Sequence, residues 1–262
     1  MLESIMMLWF VLAVMSALFV AIDITHTPEN PVLKWAFVLL TLYTGPIGLA
    51  LYVFGCRARG PEAHARFVSA RWRQVLGSTM HCVAGDGIGI LTGAVIGALV
   101  SLPLQGEVLL EYVLGFAFGW TIFQALFMRD MAGGSYLRSL ESTFIPELLS
   151  MNFLMGGMIP VMALAGRNSP DAHDPTHGLF WFRMSIALTV GFAFAYPMNW
   201  WLVSNHLKHG MMTVPAPKPD PAKMGKAAMD MRHPVSRETI AAATAISFAV
   251  LFLGFAIGVA GR

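Results

Sequence analysis

A short run near the start of one apolar segment, MHCVAGD, brings together side chains that bind soft or borderline metal ions. It contains Met80, His81, Cys82 and Asp86 within less than two helical turns. Cys82 and Asp86 are four residues apart and share a helix face, whereas His81 is turned about 100° from Cys82. Ionisable side chains are costly inside a membrane helix and generally indicate function. Sulfur, imidazole and carboxylate therefore predict a transition-metal site here.

Helix packing is the alternative explanation for this run. Four small residues continue along the side of the helix that carries Cys82 and Asp86, and such ladders let two helices approach closely. They are Gly85, Gly89, Gly93 and Gly97. On this interpretation Cys82 is another small residue, and Asp86 bonds a neighbouring helix.

A second candidate is a stripe of methionines in a later apolar segment: Met151, Met155, Met158 and Met162. Their spacing places them within an arc of about 60° and spreads them over about 16 Å of helix. Thioethers are soft ligands that suit Cu(I), so the stripe predicts a relay for such an ion. Methionine is also a flexible apolar filler, and a packed core is the alternative.

Two polar loops add further candidates. The loop at 167–178 offers oxygen and nitrogen ligands in Asp171, His173, Asp174 and His177, although turn chemistry alone explains its composition. The run NHLKHGMM at 205–212 offers His206, His209, Met211 and Met212. Its alternative is a helix end with basic residues in the last turn and Gly210 as the cap.

The elements that must position these residues are membrane helices. The chain has 262 residues, of which 56% are hydrophobic and only 12% charged, about half the charged fraction of a soluble domain. Its apolar residues occur in blocks near the ~20 residues that cross a bilayer. They predict an all-α polytopic bundle of about seven spans, near 5–22, 33–55, 76–101, 108–128, 148–166, 179–203 and 239–259.

The basic residues predict the orientation. Thirteen of the seventeen lie in the loops on one side of this seven-span map and four on the other. Since Lys and Arg favour the cytoplasmic side, we expect the N-terminus inside and the C-terminus outside. The chain is expected to form a single transmembrane domain, 1–262, in a bacterial inner membrane. Its 204–238 loop is expected to be cytoplasmic, with a disordered Pro- and Lys-rich linker. Cys56 and Cys82 would then lie near the cytoplasm, where a disulfide is not expected.

Several functional classes lack their sequence signals. The net charge of +2 is too small to indicate nucleic-acid binding. The chain contains no nucleophile elbow, HExxH motif or Walker loop. The last predicted span has no lysine for a retinal Schiff base. We therefore expect neither enzymatic activity nor retinal nor a nucleotide.

Several motifs resemble a family of bacterial inner-membrane proteins catalogued as a domain of unknown function. The matching runs are MHCVAGD at 80–86, EYVLGFAFGW at 111–120, MNFLMGGMIPVM at 151–162 and AYPMNWWLVSNHLKHGMM at 195–212. The resemblance covers roughly 75–212 and implies an HC-x-AG opening motif and a YP-x-NWWL…LKHGM closing motif. It also implies an association of some members with copper-handling genes. His81 and Cys82 match the opening motif and His209 and Met211 the closing one, whereas Asp86 departs from the Cys or small residue of its relatives.

The sequence thus favours transport or handling of a soft metal ion, with copper as the expected ion. The expected ligands are His81, Cys82, Asp86, Met80, the four stripe methionines and His209. The expected partners are the lipid bilayer, the metal ion, and other membrane subunits or further copies of the chain. The alternative is a non-catalytic structural or assembly subunit of a larger membrane complex, whose glycine ladder would make the helix contacts.

Overall fold

The fold is all-α, as the sequence predicts. The structure, a computed structural model, describes residues 2–129, 134–165, 167, 169–211 and 235–261. The expected Pro- and Lys-rich linker within the 204–238 loop, at 213–228, lies outside these residues. The first helices are α1 (Leu2–Asp23), α2 (Pro31–Thr44), α3 (Pro46–Gly55), α4 (Pro61–Val68) and α5 (Arg71–Leu99). Then α6 (Leu104–Ala117) continues through a π-helical segment, Phe118–Gln124, into α7 (Ala125–Met128), followed by α8 (Tyr136–Ala165), α9 (Gly178–Ser204) and α10 (Arg237–Ala260).

Six helices in the described part of the chain are long and apolar enough to cross a membrane: α1, α5, the continuous α6–α7 unit, α8, α9 and α10. Their outward faces carry large exposed apolar side chains, such as Leu8 and Phe252, which suit contact with lipid. The protein is therefore a multi-pass membrane protein. These helices match six of the seven predicted spans.

The remaining predicted span, 33–55, is wrong, because it does not form one membrane-crossing helix. The chain breaks at Gly45, whose φ of +58° favours glycine, and Pro46 begins a separate helix. The resulting α2 and α3 have 14 and 10 residues, each too short to cross a bilayer. They pack against each other, with the Phe37 and Tyr52 rings 5.6 Å apart. We call 31–55 the re-entrant hairpin, since the chain turns back at Gly45.

The hairpin also changes the predicted arrangement of the termini. A Cβ at Gly178, the start of α9, would lie 3.5 Å from Phe10 near the start of α1. A Cβ at Gly261, after α10, would lie 2.8 Å from Leu164 near the end of α8. Six spans rather than seven would put both termini on the same side of the membrane, whereas the seven-span map put them on opposite sides. Which end faces the cytoplasm stays a prediction.

The glycine ladder of α5 packs within the chain. A Cβ on Gly89 would collide with the Leu114 carbonyl of α6, and one on Gly93 would lie 2.8 Å from the Glu111 Cα. The two backbones therefore touch where the side chains are missing, as expected for small residues at a membrane-helix interface. This close packing fixes the position of α5 against the α6–α7 unit.

Candidate functional site

The re-entrant hairpin brings three candidate ligands together at its open end. Glu29 immediately precedes Asn30, whose side chain accepts a hydrogen bond from the Val32 amide and caps α2. Cys56 immediately follows α3, and His64 lies on α4. Because α2 and α3 run in opposite directions, the residues before and after them meet. We call Glu29, Cys56 and His64 the hairpin triad.

The hairpin triad is compact and buried. His64 Nε2 lies 3.3 Å from Glu29 Oε1 and 3.6 Å from Cys56 Sγ. One ligand atom from each residue lies within 4.8 Å of the other two. Among the described residues, this is the one group of three His, Cys, Asp or Glu side chains that lie close enough together to bind a metal ion. Neither Glu29 oxygen has a well-aligned hydrogen-bond donor in the described part of the chain.

Burial disfavours charge on all three groups. It raises the pKa of Glu29 to about 8 and raises the pKa of the Cys56 thiol. It lowers the pKa of His64, and a hydrogen bond between His64 and the Cys56 backbone opposes this shift only in part. A neutral imidazole is ready to bind a metal, and a bound cation would stabilise the thiolate and the carboxylate that burial disfavours.

An ion-pair network ties the open end of the hairpin to α1. The Asp23 carboxylate accepts hydrogen bonds from Tyr52 Oη at 2.7 Å, Arg57 Nε at 2.8 Å and Arg59 Nη2 at 3.1 Å. Tyr52 lies on α3, and the two arginines directly follow Cys56. The network therefore holds the segment that carries the triad thiol.

A second buried polar centre lies among α5, the end of the π-helical segment, α8 and the segment after α9. Lys208 Nζ donates to Cys82 Sγ at 2.6 Å and to Glu147 Oε2 at 3.2 Å. Gln124 Nε2 donates to the same sulfur at 2.7 Å, and Cys82 Sγ donates to Glu147 Oε2 at 3.3 Å. Together with Asp86, these residues form what we call the lysine centre.

Asp86 adds a second carboxyl group to this centre. It is buried, and it approaches Glu147 closely enough for the two groups to hydrogen-bond, which requires a proton between them. Without that proton, both Asp86 oxygens and Glu147 Oε1 have no donor among the described residues. A Cβ on Gly119 would collide with Asp86 Oδ1 and lie 2.7 Å from Glu147 Oε1. Glycine at this π-helical position therefore leaves the space in which the carboxyl groups meet.

The lysine centre is reached from a cleft of about 420 Å³. Its lining includes Lys208 itself, Gln124, Arg138, His206 and His209. Lys208 lies four residues beyond the end of α9, in a segment without regular helix. The predicted ligand His209 thus lines the approach to the centre, on the same cleft as Lys208.

The structure separates the two adjacent residues of the MHCVAGD motif. Cys82 points into the lysine centre, whereas the His81 ring packs on Phe127 and Phe123, with centroids 4.7 and 5.7 Å away. Its Nε2 has no hydrogen-bond partner in the described residues. Met80 is fully buried in the main hydrophobic core.

The four stripe methionines are all buried in the same core. Met151 lies one helical turn beyond Glu147 on α8, and its methyl group is beside Gly115. At the other end, the Met162 carbonyl accepts a hydrogen bond from Arg183 Nη1 at 3.3 Å. The stripe thus extends from the level of the lysine centre toward the opposite end of the bundle, within a packed interior.

The described residues of the loop at 167–178 follow turn chemistry. Asp174 Oδ1 accepts a hydrogen bond from the Thr176 amide at 2.8 Å, and Asp174 Oδ2 lies 3.2 Å from His177 Nδ1. His173 lies 3.3 Å from an Arg183 nitrogen. The four candidate ligands of this loop are therefore divided between a local turn and an arginine contact.

Sequence reasoning missed the residues that complete both centres. His64 and Glu29 lie in predicted loops, and Lys208 served only as a basic residue for orientation. Glu147 lies one residue before the predicted fifth span, 148–166. A signal existed for Glu147, because an acidic residue at the edge of a long apolar block is itself unusual.

The comparisons with known proteins support the resemblance found in the sequence. The search of curated proteins and the search of solved structures each return no match. A protein-family model matches residues 71–208, from the first residue of α5 to Lys208. This segment holds every residue of the lysine centre and excludes the hairpin triad. The match covers more than half of the chain, which therefore belongs to the family described as Domain of unknown function (DUF4396).

Proposed function

We propose that this membrane protein binds and handles a transition-metal ion, with copper as the first candidate, and that the hairpin triad is its binding site. The observation that carries the proposal is the convergence of a thiol, an imidazole and a carboxylate within 4.8 Å in a buried site. Three-ligand sites leave a coordination position free for exchange, which suits a protein that receives or releases its ion.

The donor set indicates the class of ion. Thiolate and imidazole ligands favour copper and zinc over magnesium and calcium, which prefer oxygen. Among divalent ions, copper generally binds such ligands most tightly. The poorly satisfied Glu29 carboxylate supports this interpretation, because a buried carboxylate without good donors is unfavourable unless a proton or cation accompanies it.

The position of the triad indicates where the ion would be handled. Arg57 and Arg59 follow the triad cysteine in sequence, and the loops at this end of the bundle carry most of the basic residues. The positive-inside rule makes this the cytoplasmic end, so the triad would lie near the cytoplasmic face of a bacterial inner membrane. The methionine stripe, which extends from the level of the lysine centre toward the opposite end of the bundle, would carry the ion to the other side.

The assembly-subunit alternative loses its main support. It relied on small glycine residues for contacts with another subunit. Gly89 and Gly93 instead contact α6 of the same chain, and Gly119 contacts Asp86 and Glu147. Metal handling is therefore the preferred function.

Elemental analysis of the purified protein tests the proposal. After loading with Cu(I), Cu(II) or Zn²⁺ and removal of excess ion, the parent should retain one ion per chain. Cys56→Ser and Glu29→Gln should each lose it while remaining monodisperse. Glu62→Gln removes an exposed carboxylate from α4 and should retain the ion.

Two results would contradict the triad. A Cys56→Ser protein that holds as much metal as the parent would exclude the triad thiol as a ligand. Loss of metal in Cys82→Ser alone would place the ion at the other cysteine. Uptake of copper into vesicles that contain the parent protein, compared with Cys56→Ser vesicles, would then distinguish transport from storage.

A further inference from the structure

We infer that the lysine centre is a second cation site, whose occupant in this structure is the ammonium group of Lys208. A metal ion would enter by displacing this group into the adjoining cleft. The class of ion rests on the proposed function, but the existence of the site rests on the contacts around Lys208.

The ammonium occupies the position that a metal ion would take. Lysine is a donor-only point charge, and Nζ contacts Cys82 Sγ and Glu147 Oε2, a soft and a hard ligand atom. Gln124 Nε2 also contacts the sulfur, so its carbonyl oxygen would become a third ligand if the amide turned over. The centre therefore contains a metal-type ligand set with a cation already bound.

The charge of the centre supports exchange of that cation. Two buried carboxyl groups face one ammonium, and apart from a proton shared between them, three of their four oxygens have no donor in the described part of the chain. These are both oxygens of Asp86 and Oε1 of Glu147. Asp86 Oδ1 and Glu147 Oε1 face the space that the missing Cβ of Gly119 leaves. The centre can thus bind more positive charge than Lys208 supplies, and an entering divalent ion would satisfy these oxygens.

The route of exchange follows from the position of Lys208. The side chain reaches the centre from an irregular segment that also lines the cleft, together with His206 and His209. Withdrawal of the ammonium into the cleft needs no helix to break. An ion that replaced it would lie one helical turn from Met151, the first residue of the methionine stripe. Lys208 would therefore control the passage of metal between the cytoplasmic cleft and the stripe.

Replacement of the tethered cation by an apolar side chain tests this inference. Lys208→Met keeps the length of the side chain and removes its charge. With Cd²⁺ as a thiolate-binding probe, the parent should bind one ion per chain at the triad, and Lys208→Met should bind two. Cys82→Ser in the Lys208→Met background should return the number to one. Arg237→Met, which removes an exposed charge from α10, should behave as the parent.

The Cys56→Ser background separates this inference from the proposed function. Lys208→Met with Cys56→Ser should bind one ion, held at the lysine centre. If the parent binds none and Lys208→Met binds one, the triad fails as a metal site while the lysine centre stands. If Lys208→Met binds no more Cd²⁺ than the parent, the second site is excluded.

A further variant serves if Lys208→Met is not monodisperse. Cys56→Ser alone, with Lys208 intact, should show saturable Cd²⁺ binding at high concentration, with the ultraviolet absorption of a cadmium–thiolate bond. That absorption should disappear in Cys56→Ser with Cys82→Ser. Its absence from Cys56→Ser would overturn the inference.

Discussion

The hairpin triad and the lysine centre contain the same kinds of ligand but balance their charge differently. Each has one cysteine and at least one buried carboxyl group, and both lie toward the same end of the bundle. The lysine centre supplies its own cation in Lys208. The triad has His64, a neutral base when buried, so its carboxylate needs a proton or an external ion. A metal ion bound at the triad would supply this missing charge, whereas a metal ion at the lysine centre would have to compete with the Lys208 ammonium.

The two centres also differ in how the chain builds them. The triad comes from one local segment, 29–64, in which the re-entrant hairpin brings the residues before α2 and after α3 together. The lysine centre combines residues from four parts of the 71–208 family region, and it exists only when the long helices are packed. Changes to the helix bundle should therefore affect the lysine centre most, and changes to the hairpin should affect the triad.

The largest effect is expected from Lys208→Met without added metal. Removing one partner of a buried ion pair leaves the other charge uncompensated and costs about 3–5 kcal/mol. Adding Glu147→Gln should recover much of this loss, because the isolated carboxylate is then gone. Thermal unfolding followed by circular dichroism would measure both steps. A double variant as unstable as Lys208→Met would show that the Lys208–Glu147 pair is not the cause.

The next effect is expected from Gly119→Ala. The new methyl group would collide with Asp86 and press on Glu147, and overpacking of this kind costs about 1–3 kcal/mol. Gly106→Ala is the matched control, since its Cβ would have its nearest contact at an ordinary 3.5 Å. Equal melting temperatures for the two variants would mean that the centre has more room than the structure shows.

A smaller effect on stability, confined to the triad, is expected from Gly45→Ala. At a φ of +58° a side chain costs about 1–2 kcal/mol, and the strain should spread the open end of the hairpin. Metal affinity at the triad should fall several-fold, although no ligand has changed. The second Cd²⁺ ion of Lys208→Met should bind as before. Equal weakening at both sites would contradict the independence of the two centres.

The smallest effect on stability is expected from Met155→Leu with Met158→Leu. The exchange conserves volume, and such changes usually cost less than about 1.5 kcal/mol. If the stripe carries the ion between the two sides, copper uptake into vesicles should nevertheless fall, with both binding sites still occupied. Unchanged uptake at equal protein abundance would leave the stripe as packing alone.

The sequence predicts most of the helices because hydropathy and length determine them. It fails at 33–55, since two short apolar helices in a hairpin have the same composition as one span. The sequence signal for the break is the Gly45–Pro46 pair, but the same pair also occurs in a kinked membrane helix and so does not distinguish the two. Helical spacing correctly places Cys82 and Asp86 on one face. Spacing within one helix cannot reveal Glu147 or Lys208, because their approach to Cys82 depends on how different helices pack.

The tip of the re-entrant hairpin has a consequence for the order of biogenesis. The Tyr43 carbonyl lies in the last turn of α2 and accepts a hydrogen bond from Ser185 Oγ. Ser185 Oγ in turn accepts a hydrogen bond from Trp9 Nε1. At about 5–20 residues per second, the ribosome would reach Ser185 roughly 7–30 s after it completes Tyr43. Until then the turn has an unsatisfied carbonyl that the lipid interior cannot accommodate. The hairpin should therefore wait near the membrane surface and reach its final depth only after α9 is inserted.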